Sequence, residues 1–89
     1  MIRKRYDFTG QVQHVGFRRR ARKAAGMIGC TGWCRNDWDG SVTMEIQGEE
    51  EAIDRVVQSI ESGRYVWIQN MDVTPMTPDP EERGFGVKD

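Results

Sequence analysis

The segment Gln13-His14-Val15-Gly16-Phe17-Arg18 holds the groups in this sequence best suited to chemistry. It lies where an alternating pattern gives way to a helical one, and Arg18, Arg19, Arg20, Arg22 and Lys23 follow in close succession. The first amides of a helix lack intrahelical acceptors and are partly positive, so cations crowded there oppose the macrodipole. A bound anion would reconcile the two. Successive N–H groups between a strand end and a helix start can curl round an anion, and an arginine adds a forked pair of donors. As a motif by itself the junction is weak evidence, because an arginine-rich helix face is often plain solvated surface.

Other site types lack their parts. His14 is the only histidine, and Cys30 and Cys34 sit on an extended segment, so no zinc-ligand spacing is present. A serine triad lacks a base for the same reason. Asp37 and Asp39 stand beside Gly40, where carboxylates serve as turn formers more often than as an acid and base pair. On an extended chain the two cysteines have alpha carbons roughly 13 Å apart, beyond disulfide reach. Both read as small buried hydrophobes.

The elements that must position the junction follow from periodicity. Ile2, Tyr6, Phe8 and Val12 alternate with Arg3, Arg5, Asp7, Thr9 and Gln11, which predicts a strand over about 2–12. Phe17, Ala21, Ala25 and Ile28 then recur at helical spacing, and glycines 26 and 29 end the stripe. A strand through Trp33 and Cys34 is followed by a turn at Asp37-Trp38-Asp39-Gly40 and a strand in which Val42, Met44 and Ile46 alternate with Thr43, Glu45 and Gln47. Glu49, Glu50 and Glu51 open a second helix whose buried stripe is Ala52, Ile53, Val56, Val57 and Ile60, with Gly63 as its stop. A fourth strand over about 65–73 and a short last one over about 85–87 flank an acidic loop holding Pro75, Pro78 and Pro80. This order predicts an α+β fold of the ferredoxin-like kind, βαββαβ, with an antiparallel sheet and both helices on one face. Phe17 and Trp33 are expected in its core.

At 89 residues the chain is one domain, 1–89, with a modest core. Its net charge of −1 hides a strong asymmetry. Residues 1–35 carry nine cations against Asp7 alone, whereas residues 36–89 carry thirteen acids against four cations. Either the first half meets an anionic ligand, or two faces of one fold neutralise each other. No apolar run approaches membrane-spanning length, and MIRKRYDF lacks the apolar stretch of a signal peptide, so a cytoplasmic chain without membrane contact is expected.

The run Gly10-Gln11-Val12-Gln13-His14-Val15-Gly16-Phe17-Arg18, then Ala25, Gly29, Gly32-Trp33-Cys34-Arg35-Asn36, Asp39-Gly40 and Gly48, resembles the acylphosphatase family. That family reads G-x-V-Q-G-V-x-F-R, an alanine and a glycine at the helix end, G-W-V-x-N and then D-G-x-V. The register holds without a gap from Gly10 to Gly48. The second half matches by length and element order.

The resemblance implies a metal-free hydrolase, without cofactor, that splits a small acyl phosphate into a carboxylate and inorganic phosphate. It implies that Arg18 binds phosphate, that Asn36 orients the attacking water, and that Gln13, His14, Val15, Gly16, Phe17 and Arg18 form the anion cradle. Cys34 replaces the family's valine, a mild change. His14 replaces a glycine, and three readings stay open: a ring turned outward, a ring that donates to the anion, or a damaged site. If the loop needs a left-handed backbone there, histidine costs on the order of 1–2 kcal/mol.

The strongest rival is a non-catalytic anion- or RNA-binding module of the same fold, which would stack bases on exposed strand aromatics. The strand after Gly40 has none, and Tyr6 and Phe8 share the apolar face, so no nucleic acid is expected. A domain of a larger carbamoyl-transferring enzyme is disfavoured by the chain length. A monomer is expected.

Overall fold

The computed structural model describes residues 1–88. Alternation makes β1 (Ile2–Gln11), β2 (Thr31–Asn36) and β3 (Val42–Gly48), and helical spacing makes α1 (Phe17–Ile28) and α2 (Glu50–Glu61). β4 (Trp67–Met76) and β5 (Phe85–Lys88) complete a sheet in the order β4-β1-β3-β2-β5. The first four strands are antiparallel neighbours as expected. The short β5 lies parallel to β2, which makes the sheet mixed.

In register, Tyr6 opposes Met44 and Phe8 opposes Val42, so one face of β1 and β3 is continuous and apolar. Phe17, Ala21, Ala24 and Ala25 of α1 and Ile53, Val56, Val57 and Ile60 of α2 close over that face in a single core. The small residues of α1 let its backbone approach the sheet. Phe8 sits at the centre, stacked on Tyr6 at 5.5 Å and edge-on to Phe17 at 4.9 Å. Burying Phe17 contributes about 2–3 kcal/mol and pins the first turn of α1 against β1. Cys30 and Cys34 are buried free thiols in this core, as read from the sequence.

Three placements differ from expectation. β4 continues to Met76, so Pro75 stands within a strand, opposite Lys4. Proline is tolerated there because β4 is an edge strand, with no ladder to supply on its outer side. Trp33 is not in the core. Since Cys34 faces the helices, strand alternation turns Trp33 to the opposite face, where Lys88 and Arg35 lie over its ring at 4.2 and 5.3 Å.

Arg3 is also on that opposite face, yet it is only 6% exposed. Its Nε donates to Glu45 at 3.0 Å, and its two terminal nitrogens make a forked pair with Glu82 at 2.9 and 3.1 Å. Gln47 completes the closure: it accepts from Arg3 Nη1, and it exchanges bonds with the backbone of Asp79 at 2.7 and 2.8 Å. The acidic segment between β4 and β5 therefore lies across the open face of the sheet. This is mutual neutralisation for the cations of β1, since Lys4 also pairs with Glu50 and Arg5 with Asp7 and Glu45.

Candidate active site

β1 ends beyond a bulge at Gly10, whose φ of 121° and close approach to Trp67 O and Gln69 N exclude any side chain. Val12 is buried in the core, and the chain then turns sharply into α1. His14 has φ 61° and is the one non-glycine residue with a left-handed backbone among the described residues. Gly16, the residue capping α1, has φ 82° and ψ 13° and supplies no side-chain cap. Alternating left-handed residues of this kind turn neighbouring N–H groups toward one concavity. Among the described residues, no amide from 13 to 18 donates to a loop or turn carbonyl, and the first turn of α1 holds no acid. The positive end of the helix is thus open toward this concavity.

The concavity is a cavity of about 150 Å3 lined by His14, Gly16, Phe17, Arg18 and Asn36, together with Val12 and Arg19. Asn36 reaches it from the end of β2, a strand that is non-adjacent to β1 in the sheet, with β3 between them. Its Oδ1 is buried with no hydrogen-bond partner among the described residues. A buried amide oxygen left without a donor costs about 1–3 kcal/mol, so it marks a place for a water or ligand. Arg18 lines the same cavity, and one terminal nitrogen donates to the Lys88 carbonyl of β5 at 3.3 Å. A guanidinium has donors enough for such a bond and for a forked pair to an anion.

The side chains of Gln13 and Val15 make other contacts. The Gln13 side-chain amide donates to the carbonyls of Asp37 and Ser41 at 2.7 and 2.9 Å, tying the loop after β1 to the turn after β2. It therefore couples the two segments that carry the amides and Asn36. Val15 packs partly against the core. His14 is exposed. Val12 and Arg19 are additions to the expected lining. An arginine triplet cannot reveal which members share a face with the strand end, because that depends on where the helix axis points.

The turn is itself braced by Asp37, whose carboxylate accepts from Thr43 at 2.6 Å, Arg35 at 2.9 Å and the Ser41 hydroxyl at 3.1 Å. Burial pushes this carboxyl up, but those hydrogen bonds and the Arg35 charge outweigh it and hold the group below the usual carboxylate range. Burial pushes the Cys34 thiol up to about 12, against the opposing charge of Arg18, so this thiol is an inert core residue rather than a nucleophile. Among the described residues, no three His, Cys, Asp or Glu side chains gather in a group that could hold a metal ion.

Comparisons with known proteins point to one family. The family model for acylphosphatase matches residues 4–87. A curated acylphosphatase of Oceanobacillus iheyensis is 41% identical over 84 residues, covering 92% of each chain. One of Roseiflexus is 38% identical over 88 residues, covering 98% of this chain and 95% of its own. The crystal structure of acylphosphatase from Bacillus subtilis superposes with a TM-score of 0.89 at 27% identity, covering 99% of both chains. With a match over nearly the whole length in sequence and in fold, the chain belongs to the acylphosphatase family, hydrolases that act on acyl phosphates.

Proposed function

We propose that the amides of residues 13–18 and the Arg18 guanidinium hold the phosphoryl group of a small acyl phosphate, while Asn36 holds the water that attacks it. The observation that carries this reading is the unpartnered Asn36 Oδ1 in a cavity walled by Arg18 and the start of α1. An amide oxygen in that position accepts a proton of a bound water and leaves the water's lone pair directed toward phosphorus.

The chemistry asks for little more. Water oxygen forms the new bond to phosphorus, the bond from phosphorus to the carboxyl oxygen breaks, and its electron pair leaves with the carboxylate. The water protons end on the phosphate product. A carboxylate is a good leaving group, so positioning and charge stabilisation supply most of the catalysis and no strong base is needed. The planar fork of Arg18 can meet two phosphoryl oxygens in parallel. The helix end adds fixed positive potential where negative charge is spread.

Phosphate release from benzoyl phosphate tests the reading. Turnover is expected with or without a chelator. Arg18→Ala lowers kcat at least about a hundredfold, as for loss of one key electrostatic donor, and Asn36→Ala lowers it comparably with little change in KM. No turnover at high enzyme concentration would refute the assignment, and full rate in Arg18→Ala would show that another cation does this work.

A further inference from the structure

A second, larger cavity of about 620 Å3 opens from the same place. It shares Gly16 and Arg19 with the phosphate cavity and runs along α1 as far as Met27, bounded on the other side by Ser59 near the end of α2 and by Arg64 and Tyr65 before β4. Its charges all have one sign. Arg19, Arg20, Lys23 and Arg64 line it, no acid does, and none of the four has an ion-pair partner among the described residues. Arg19, Arg20 and Lys23 belong to α1, and Arg64 precedes β4. Arg20 is held against the wall by a long bond to the Ser59 carbonyl at 3.5 Å, and a Cβ at Gly63 would stand 3.0 Å from its Nε. The absent side chain at Gly63 thus gives Arg20 its place. Apolar surface is supplied by Val15 and Ala24 together with Met27 and Tyr65, the last two 77% and 61% exposed.

We propose that this groove binds the acyl part of the substrate and selects acyl phosphates whose acyl group carries a second negative charge. The inference rests on the hydrolase reading above and adds its substrate class. A phosphoryl group seated on the amides of the first turn of α1 directs its acyl substituent out of the small cavity, and the groove begins at Gly16. Lys23 stands seven residues along the helix from Gly16, roughly 10 Å at the helical rise, which sets the spacing between the two anions at about the length of one ring or a short chain. Neutral acyl groups gain apolar contact with Val15, Ala24, Met27 and Tyr65 but no ion pair. A carboxylate or phosphate at the far end meets Lys23 and Arg64.

The test compares binding of (4-carboxybenzyl)phosphonate and benzylphosphonate by calorimetry at low salt, together with hydrolysis of 4-carboxybenzoyl phosphate and benzoyl phosphate. The carboxylated phosphonate is expected to bind at least about fivefold more tightly, the scale of two exposed ion pairs, and the advantage shrinks at high salt. In the double variant Lys23→Ala with Arg64→Ala, the ratio of the two dissociation constants falls to about one. Both side chains are on the surface, so folding is retained and is checked by circular dichroism. Equal binding of the two phosphonates by the unaltered protein, or an unchanged ratio in the double variant, overturns the proposal. Loss of hydrolysis with the binding ratio intact would instead overturn the hydrolase reading and leave the groove's selectivity standing.

Discussion

Replacing His14 by glycine isolates the cost of a side chain in the left-handed region. The backbone at this position has φ 61°, and the ring is exposed, so little packing is lost with it. A left-handed residue with a Cβ is disfavoured by about 1–2 kcal/mol, and histidine, which tolerates this region better than most, belongs near the lower end. Glycine removes that cost but gives the unfolded chain about 0.5–1 kcal/mol of additional backbone entropy. The balance is a stabilisation of about 0.5 kcal/mol, which in a domain of this size raises Tm by roughly 2–4 °C. Differential scanning calorimetry of His14→Gly beside His14→Ala reads it directly. Alanine keeps the Cβ and is expected to give no increase. An equal increase in both variants would trace the effect to the ring, and a decrease in His14→Gly would refute the backbone account. The pH profile of benzoyl phosphate hydrolysis in His14→Gly is expected to match that of the unaltered protein within about threefold in rate, because the ring is solvated at the mouth of the cavity rather than enclosed in it.

Three further outcomes follow from the contacts. Gln13→Leu removes both bonds to the turn after β2, whose two carbonyls keep the amides of Gly40 and Asp37 as donors; at roughly 0.5–1.5 kcal/mol per bond it should destabilise by about 1–3 kcal/mol in urea titrations and lower kcat at least tenfold, although Arg18 and Asn36 are intact. Arg3→Met strands Glu82 and leaves Glu45 only the longer pair with Arg5 at 3.9 Å, both carboxylates being only 14% exposed, and is expected to cost about 3 kcal/mol with kcat within twofold of normal below the melting transition. Asp37 has a folded pKa lowered from 3.8, so its stabilisation is complete above that value and fades as pH falls through the lowered folded value. Asp37→Asn is therefore less stable than the unaltered protein at pH 7, and equilibrium unfolding should show the gap narrowing only below about pH 4.

Much of the architecture was legible because it rests on local periodicity. The alternation of Val42, Met44 and Ile46 and the stripe of Ile53, Val56, Val57 and Ile60 name their buried faces without reference to anything distant. The strand-to-helix junction at Gln13 to Arg18 was legible for a related reason: two kinds of period meet there. Trp33 was misplaced because its size suggested the core, whereas its face is set by the parity it shares with no apolar neighbour on β2. The burial of Arg3 was invisible, since it depends on a loop that starts 74 residues later and crosses the far side of the sheet.

The amino-acid sequence by itself thus determined the order and type of the elements, the buried faces of strands and helices, and the crowding of cations at the start of α1, all from residues near one another in the chain. Only the tertiary structure decided that Asn36 and Arg18 share one small cavity, that the Gln13 side chain ties the loop after β1 to the turn after β2, and that Arg19, Arg20 and Lys23 of α1 line a groove with Arg64. Those decisions belong to the sheet order, which sets β2 and β1 on either side of β3, and to the packing of α1 beside α2. Neither is encoded in any short run of residues.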